Sequence, residues 1–77
     1  MKKYYSLVVS VLDSNDNRVD AYEITGSSKK KVILKDRTQL KKELKSGHFN
    51  YMKHNDCTLE ADIEVHDDDT WDLIEII

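Results

Sequence analysis

Seventy-seven residues with a net charge of −3, 35% charged side chains and 8% aromatics fit one domain and no more. The single cysteine, Cys57, excludes an intramolecular disulfide scaffold, and a lone thiol suits a reducing compartment. With no proline and only Gly26 and Gly47, neither a GxGxxG nor a GxxxxGKS/T phosphate loop can be built.

No apolar run approaches the ~20 residues that span a bilayer. The stretch after Met1-Lys2-Lys3 is broken by Ser6 and Ser10 and ends at Asp13 without a small-residue cleavage site. Cytoplasmic residence, in a host cell if the protein is phage-encoded, is the expectation. Patterned Val, Ile, Leu and Tyr suffice for one small core, and most side chains must stay wet.

Residues 4–12 (YYSLVVSVL) alternate with the two-residue period of a strand, Tyr5, Leu7, Val9 and Val11 forming the stronger apolar face. The turn formers of residues 13–17 close a hairpin onto a second strand over 18–25. There Val19 and Ala21 fall on one face and Tyr22 and Ile24 on the other, which calls for a bulge or for cover on both faces. Gly26-Ser27-Ser28 and the lysines after them suggest a loop, and KVILK at 31–35 suggests a third strand.

Asp36 and Gln39 have the spacing of a capping box. Leu40 and Leu44 share a face, and Gly47 stands where a left-handed C′ residue is wanted. Together they predict a helix of about three turns. HFNYMKH at 48–54 is a further candidate strand. Leu59, Ala61, Ile63 and Val65 then alternate cleanly with Glu60, Asp62, Glu64 and His66, Asp67-Asp68-Asp69 turns the chain, and residues 70–77 return as the last strand. The fold class is therefore α+β: an antiparallel sheet of four to five strands with one short helix on a face, in the order β-β-(β)-α-(β)-β-β.

The charge is segregated along the chain. Residues 29–45 hold eight basic side chains against two acidic ones, and residues 55–77 hold nine acids and neither Lys nor Arg. Such blocks can simply solvate a small domain or neutralise each other. The sharper expectation concerns Glu60, Asp62 and Glu64, which project from one strand face roughly 6.6–6.8 Å apart. Extended by Asp67, Asp68, Asp69 and Asp72, they form an acidic face suited to a basic groove on another protein, in the manner of a nucleic-acid phosphate backbone. Tyr22, Tyr51 and Trp71 are candidate aromatic anchors, although the only tryptophan is also expected to pack near the helix leucines.

The alternative face is basic: Lys29, Lys30, Lys31, Arg37, Lys41, Lys42 and Lys45 could contact phosphates while Tyr4, Tyr22 or Tyr51 stack on bases. A negative net charge and the absence of any RNP, KH, zinc-finger or helix-turn-helix signature make direct nucleic-acid binding the weaker reading. A third reading is a homo-oligomer paired through an uncovered edge strand.

Chemistry has little support. His48, His54, Cys57 and His66 offer one compact His-x-x-Cys pair and no second, and open carboxylates lack the contrasting environments that acid/base catalysis needs. Neither an enzyme, a metal nor a cofactor is expected. In character, though in no particular residue, the chain resembles the small acidic proteins of AT-rich bacteria and their phages. That resemblance implies a stoichiometric inhibitor, including the nucleic-acid-mimic kind.

Overall fold

The computed structural model describes residues 2–53 and 56–77. Its elements are β1 (Lys3–Leu12), β2 (Arg18–Ser27), α1 (Lys30–Lys45), a single 3-10 turn (Asn50–Met52), β3 (Thr58–Asp67) and β4 (Leu73–Ile76). The four strands form one antiparallel sheet in the order β2-β1-β3-β4. The helix lies across one face, against β1, β2 and β3.

The odd residues of β1 and β3 meet that helix. Leu7, Val9, Ala61, Ile63 and Val65 pack with Ile33 and Leu40 into one buried cluster, flanked by Tyr5, Leu34, Leu44, Phe49, Leu59 and Ile77. Burying an Ile or Leu side chain fully is worth about 1.5–3 kcal/mol, so Ile33 and Leu40 fasten the helix to the sheet. The β1–β3 register runs unbroken from Lys3–Asp67 to Leu12–Thr58. The β1–β2 register slips twice, leaving Ile24 and Val19 as the extra residues. Those two bulges account for the face switch seen in the apolar pattern of the second strand.

Neither optional strand of the order expected from sequence forms among the described residues. KVILK at 31–35 is the start of α1, which runs sixteen residues instead of about ten. Ile33, Leu40 and Leu44 are spaced seven and four apart, so the helical stripe continues back through KVILK, and packing overrides the β-propensity of Val32 and Ile33. Asp36 and Gln39 consequently lie inside the helix and cap nothing. The true N-cap, Lys29, has no side-chain capping bond, and the first turn contains no acid. The side-chain bond at this end comes from before the helix, Ser27 Oγ accepting from Lys29 N–H at 3.0 Å.

The helix C-terminus follows the expectation. Gly47, at φ +83°, donates its N–H to the Leu44 carbonyl, and His48 donates to Glu43, the paired bonds of a Schellman motif. In the 48–54 segment, Phe49 packs on the core and the chain forms a 3-10 turn in place of a strand; His54 lies outside the described residues. No helix among the described residues is long and apolar enough to cross a membrane.

Candidate functional site

Among the described residues, the face of the sheet opposite α1 carries no helix. On it the even residues of β1 and β3 stand in register: Tyr4 beside His66, Ser6 beside Glu64, Val8 beside Asp62, Ser10 beside Glu60. Ser6, Val8 and Ser10 are buried all the same, because they are short and sit on a central strand between longer side chains. The floor of this face is small and semi-polar, and its working groups stand on β3 and on the β3–β4 turn.

Glu60, Asp62 and Glu64 do share this face, yet they are not three equal free charges. Glu60 is exposed, whereas Asp62 and Glu64 are partly buried. Ser10 Oγ donates to Asp62 Oδ2 at 2.7 Å. Arg18 reaches across β1 to place its guanidinium 2.5 Å from Glu64 Oε2, and His66 Nε2 lies 3.3 Å from Glu64 Oε1. The acidic stripe is therefore partly compensated from β2, by a cation that its own hairpin lacks. Pairs still open to solvent on one side add little stability; what they fix is the direction of the carboxylates.

Trp71 does not join the helix leucines. It is 52% exposed, at φ +65° in the β3–β4 turn, a backbone region that bulky residues rarely adopt. Its ring stacks on His66 at a centroid distance of 4.6 Å and 5° between planes, and tilts against Tyr4 at 5.1 Å. The Trp71 carbonyl lies 3.2 Å from His66 Nδ1. Tyr4 in turn covers Gly26 of β2, where a Cβ would meet the phenol oxygen at 2.0 Å. A side-chain layer thus runs from β2 through Tyr4, Trp71 and His66 to Glu64. Leu73 and Ile76, both exposed, continue it as an apolar border on β4.

The aspartates of the turn are arranged by Asp67. Its N–H donates to the Asp72 carbonyl, its own carbonyl accepts from Trp71 N–H, and its Oδ1 accepts from the N–H groups of Asp69 and Thr70. Those two N–H donors stabilise the ionised form and hold the Asp67 carboxyl below the ordinary carboxylate range. Asp68, Asp69 and Asp72 stand exposed around it, beside Trp71.

The remaining anchors lie elsewhere. Tyr22 pairs with Val9 on the helix side of β2, and its hydroxyl donates to Asp20 at 2.6 Å, which raises the phenol above its usual range. Tyr51, 76% exposed, belongs to the 3-10 turn and touches Phe49. Of the three anchors read from the sequence, only Trp71 adjoins the acidic stripe. Tyr4 joins it there in the role of a packing partner, identifiable only from the register that sets it beside His66.

Lys30, Lys31, Lys35, Arg37, Lys41, Lys42 and Lys45 all belong to α1, with Lys29 at its N-cap. The helix cations and the Glu60–Asp62–Glu64 row therefore lie on opposite sides of the sheet, whereas Glu75, opposite Val65, is on the helix side; no ion pair joins the basic and acidic blocks among the described residues. Cys57 precedes β3 and His66 lies near its far end, some 30 Å along the strand at 3.3 Å per residue. Among the described residues no group of three or more His, Cys, Asp or Glu side chains is placed to hold a metal ion. Comparison with protein-family models, curated proteins and solved structures finds no match to this chain.

Proposed function

We propose that this chain is a non-enzymatic protein-binding module whose open sheet face receives a basic, partly apolar surface of another protein. One observation carries the reading: a helix-free face sets an exposed, backbone-strained tryptophan beside carboxylates held in fixed orientations. An exposed aromatic with acids around it has the composition of a binding hot spot, and complementary charge speeds encounter and fixes register. Carboxylates already tethered by Ser10 and Arg18 lose little further freedom on binding. The inhibitory form of this reading, in which the Glu60–Glu64 row imitates phosphates, rests on strand spacing and is shortened by the Arg18–Glu64 pair.

A second reading has its own observation in favour. Seven basic side chains line one helix, none of them in an ion pair among the described residues, which suits contacts to a phosphate backbone.

Parallel capture from lysate separates the two. The baits are the wild type, a Glu60→Lys/Asp62→Lys/Glu64→Lys variant and a Lys41→Glu/Lys42→Glu/Lys45→Glu variant, each with and without nuclease. The expected outcome is one nuclease-insensitive protein held by the wild type and the helix variant and lost by the strand variant. Material lost with nuclease and with the helix variant would transfer the function to α1.

A further inference from the structure

β4 pairs with only part of β3. Its register covers Glu64 to His66, and Ile77 exchanges both backbone bonds with Ile63. No described strand lies alongside the first half of β3 on that side. Because Ile63 directs its N–H and carbonyl outward and β3 has no bulge against β1, alternation directs those of Ala61 and Leu59 the same way. This stretch of edge, unpaired among the described residues, borders a groove of about 250 Å³ lined by Leu44, Leu59, Ala61, Lys41, Lys45 and Glu60. The groove is apolar at its base, where Leu44, Leu59 and Ala61 meet. Both lysines are exposed and form no ion pair among the described residues.

We infer that this notch is a second docking site, taking an extended strand from another protein that adds to the β3 edge in line with β4. Main-chain bonds to Leu59 and Ala61 supply sequence-independent attraction, and alternate side chains of the incoming strand supply the choice. On the helix side, the incoming strand places an apolar side chain over Leu44 and carboxylates two residues to either side of it, against Lys41 and Lys45. On the opposite side it meets Glu60 and Asp62, which exclude acids there. The occupant is thus acidic-x-apolar-x-acidic with neutral or basic residues between. A second copy of this chain fits less well. Under a two-fold axis normal to the sheet its β3 edge would run antiparallel to the host β3, which sets Glu60 opposite an acid of the other copy and offers Lys41 and Lys45 only Leu59 and Ala61, whereas a separate strand can carry carboxylates to both lysines. The site adjoins the open acidic face, with Glu60 on the border of both, and is opposite to it in charge preference.

The test is amide chemical-shift mapping on the whole protein, using the acetylated and amidated peptide Thr-Glu-Thr-Val-Thr-Glu-Thr and its counterpart with Lys in place of Glu. Saturable shifts at Leu59 and Ala61 with the first peptide are expected. Binding should weaken about fivefold, the effect of losing two exposed ion pairs, with the Lys peptide or in a Lys41→Glu/Lys45→Glu variant. Both substitutions are on the exposed helix surface, so an unchanged dispersed spectrum verifies that the variant is folded. Absence of saturation at millimolar peptide would overturn the proposal, as would shifts confined to β2. Shifts at Leu59 and Ala61 that follow protein concentration without peptide would assign the notch to a second copy and overturn it equally.

Discussion

The two faces of one sheet are built on different rules. Beneath α1, every inward position of β1 and β3 from Leu7 to Val11 and from Ala61 to Val65 is apolar and buried, and removal of that area from water holds the fold together. On the other face, with no helix over it, burial is reached by keeping the floor short (Ser6, Val8, Ser10) while the longer groups engage one another through Ser10–Asp62, Arg18–Glu64–His66 and the Tyr4–Trp71–His66 stack. The first arrangement gives stability. The second fixes orientation at little net stability and leaves polar and aromatic groups available to a partner.

The difference can be strained from the covered side first. Ile33→Ala empties a fully buried position and should cost about 2–5 kcal/mol. That is a large fraction of the total for a small domain, so urea denaturation should show a sharply lowered midpoint or no cooperative transition. Next is the open face. Gly26→Ala forces the Tyr4 ring off β2, an overpacking cost of about 1–3 kcal/mol, and should change the emission of Trp71 because Tyr4 packs on it.

A smaller change should run in the other direction. Lys29→Ser supplies the missing cap and removes a cation from the positive end of α1, a stabilisation of about 1 kcal/mol visible in thermal melting. The smallest effect concerns the turn. Because the folded Asp67 carboxyl is held below its ordinary range, its contribution is present above the ordinary carboxylate range and lost as pH falls through the lowered value. The melting difference between wild type and Asp67→Asn should therefore narrow as the solution is acidified through that range.

Most of the sheet was legible because its signals are local. Alternation marked β1 and β3, the Asp/Asn cluster marked the first turn, and Gly47 marked the end of the helix. The start of α1 was not legible, since Lys29 offers no cap and Val32-Ile33 have the composition of a strand; only the sheet beneath Ile33 decides the matter. The acidic stripe was visible as Glu60, Asp62 and Glu64, yet its compensation by Arg18 depends on a contact across forty-six positions of sequence. Trp71 was legible as an exceptional residue and not as an exposed one, because its placement follows from the backbone of the Asp67–Asp72 turn and not from hydrophobicity.

The central claim, that the open face is the binding face, is tested most directly by mapping amide shifts of the labelled protein. Two probes are titrated in parallel: a cationic Lys/Leu amphipathic peptide and a short DNA duplex. The expected result is saturable perturbation by the peptide at Ser10, Glu60, Asp62, Glu64, His66 and Trp71, lost on charge reversal of the three β3 carboxylates, with no saturation by DNA. Saturable binding of the duplex along α1, with the open face unmoved by the peptide, would contradict it.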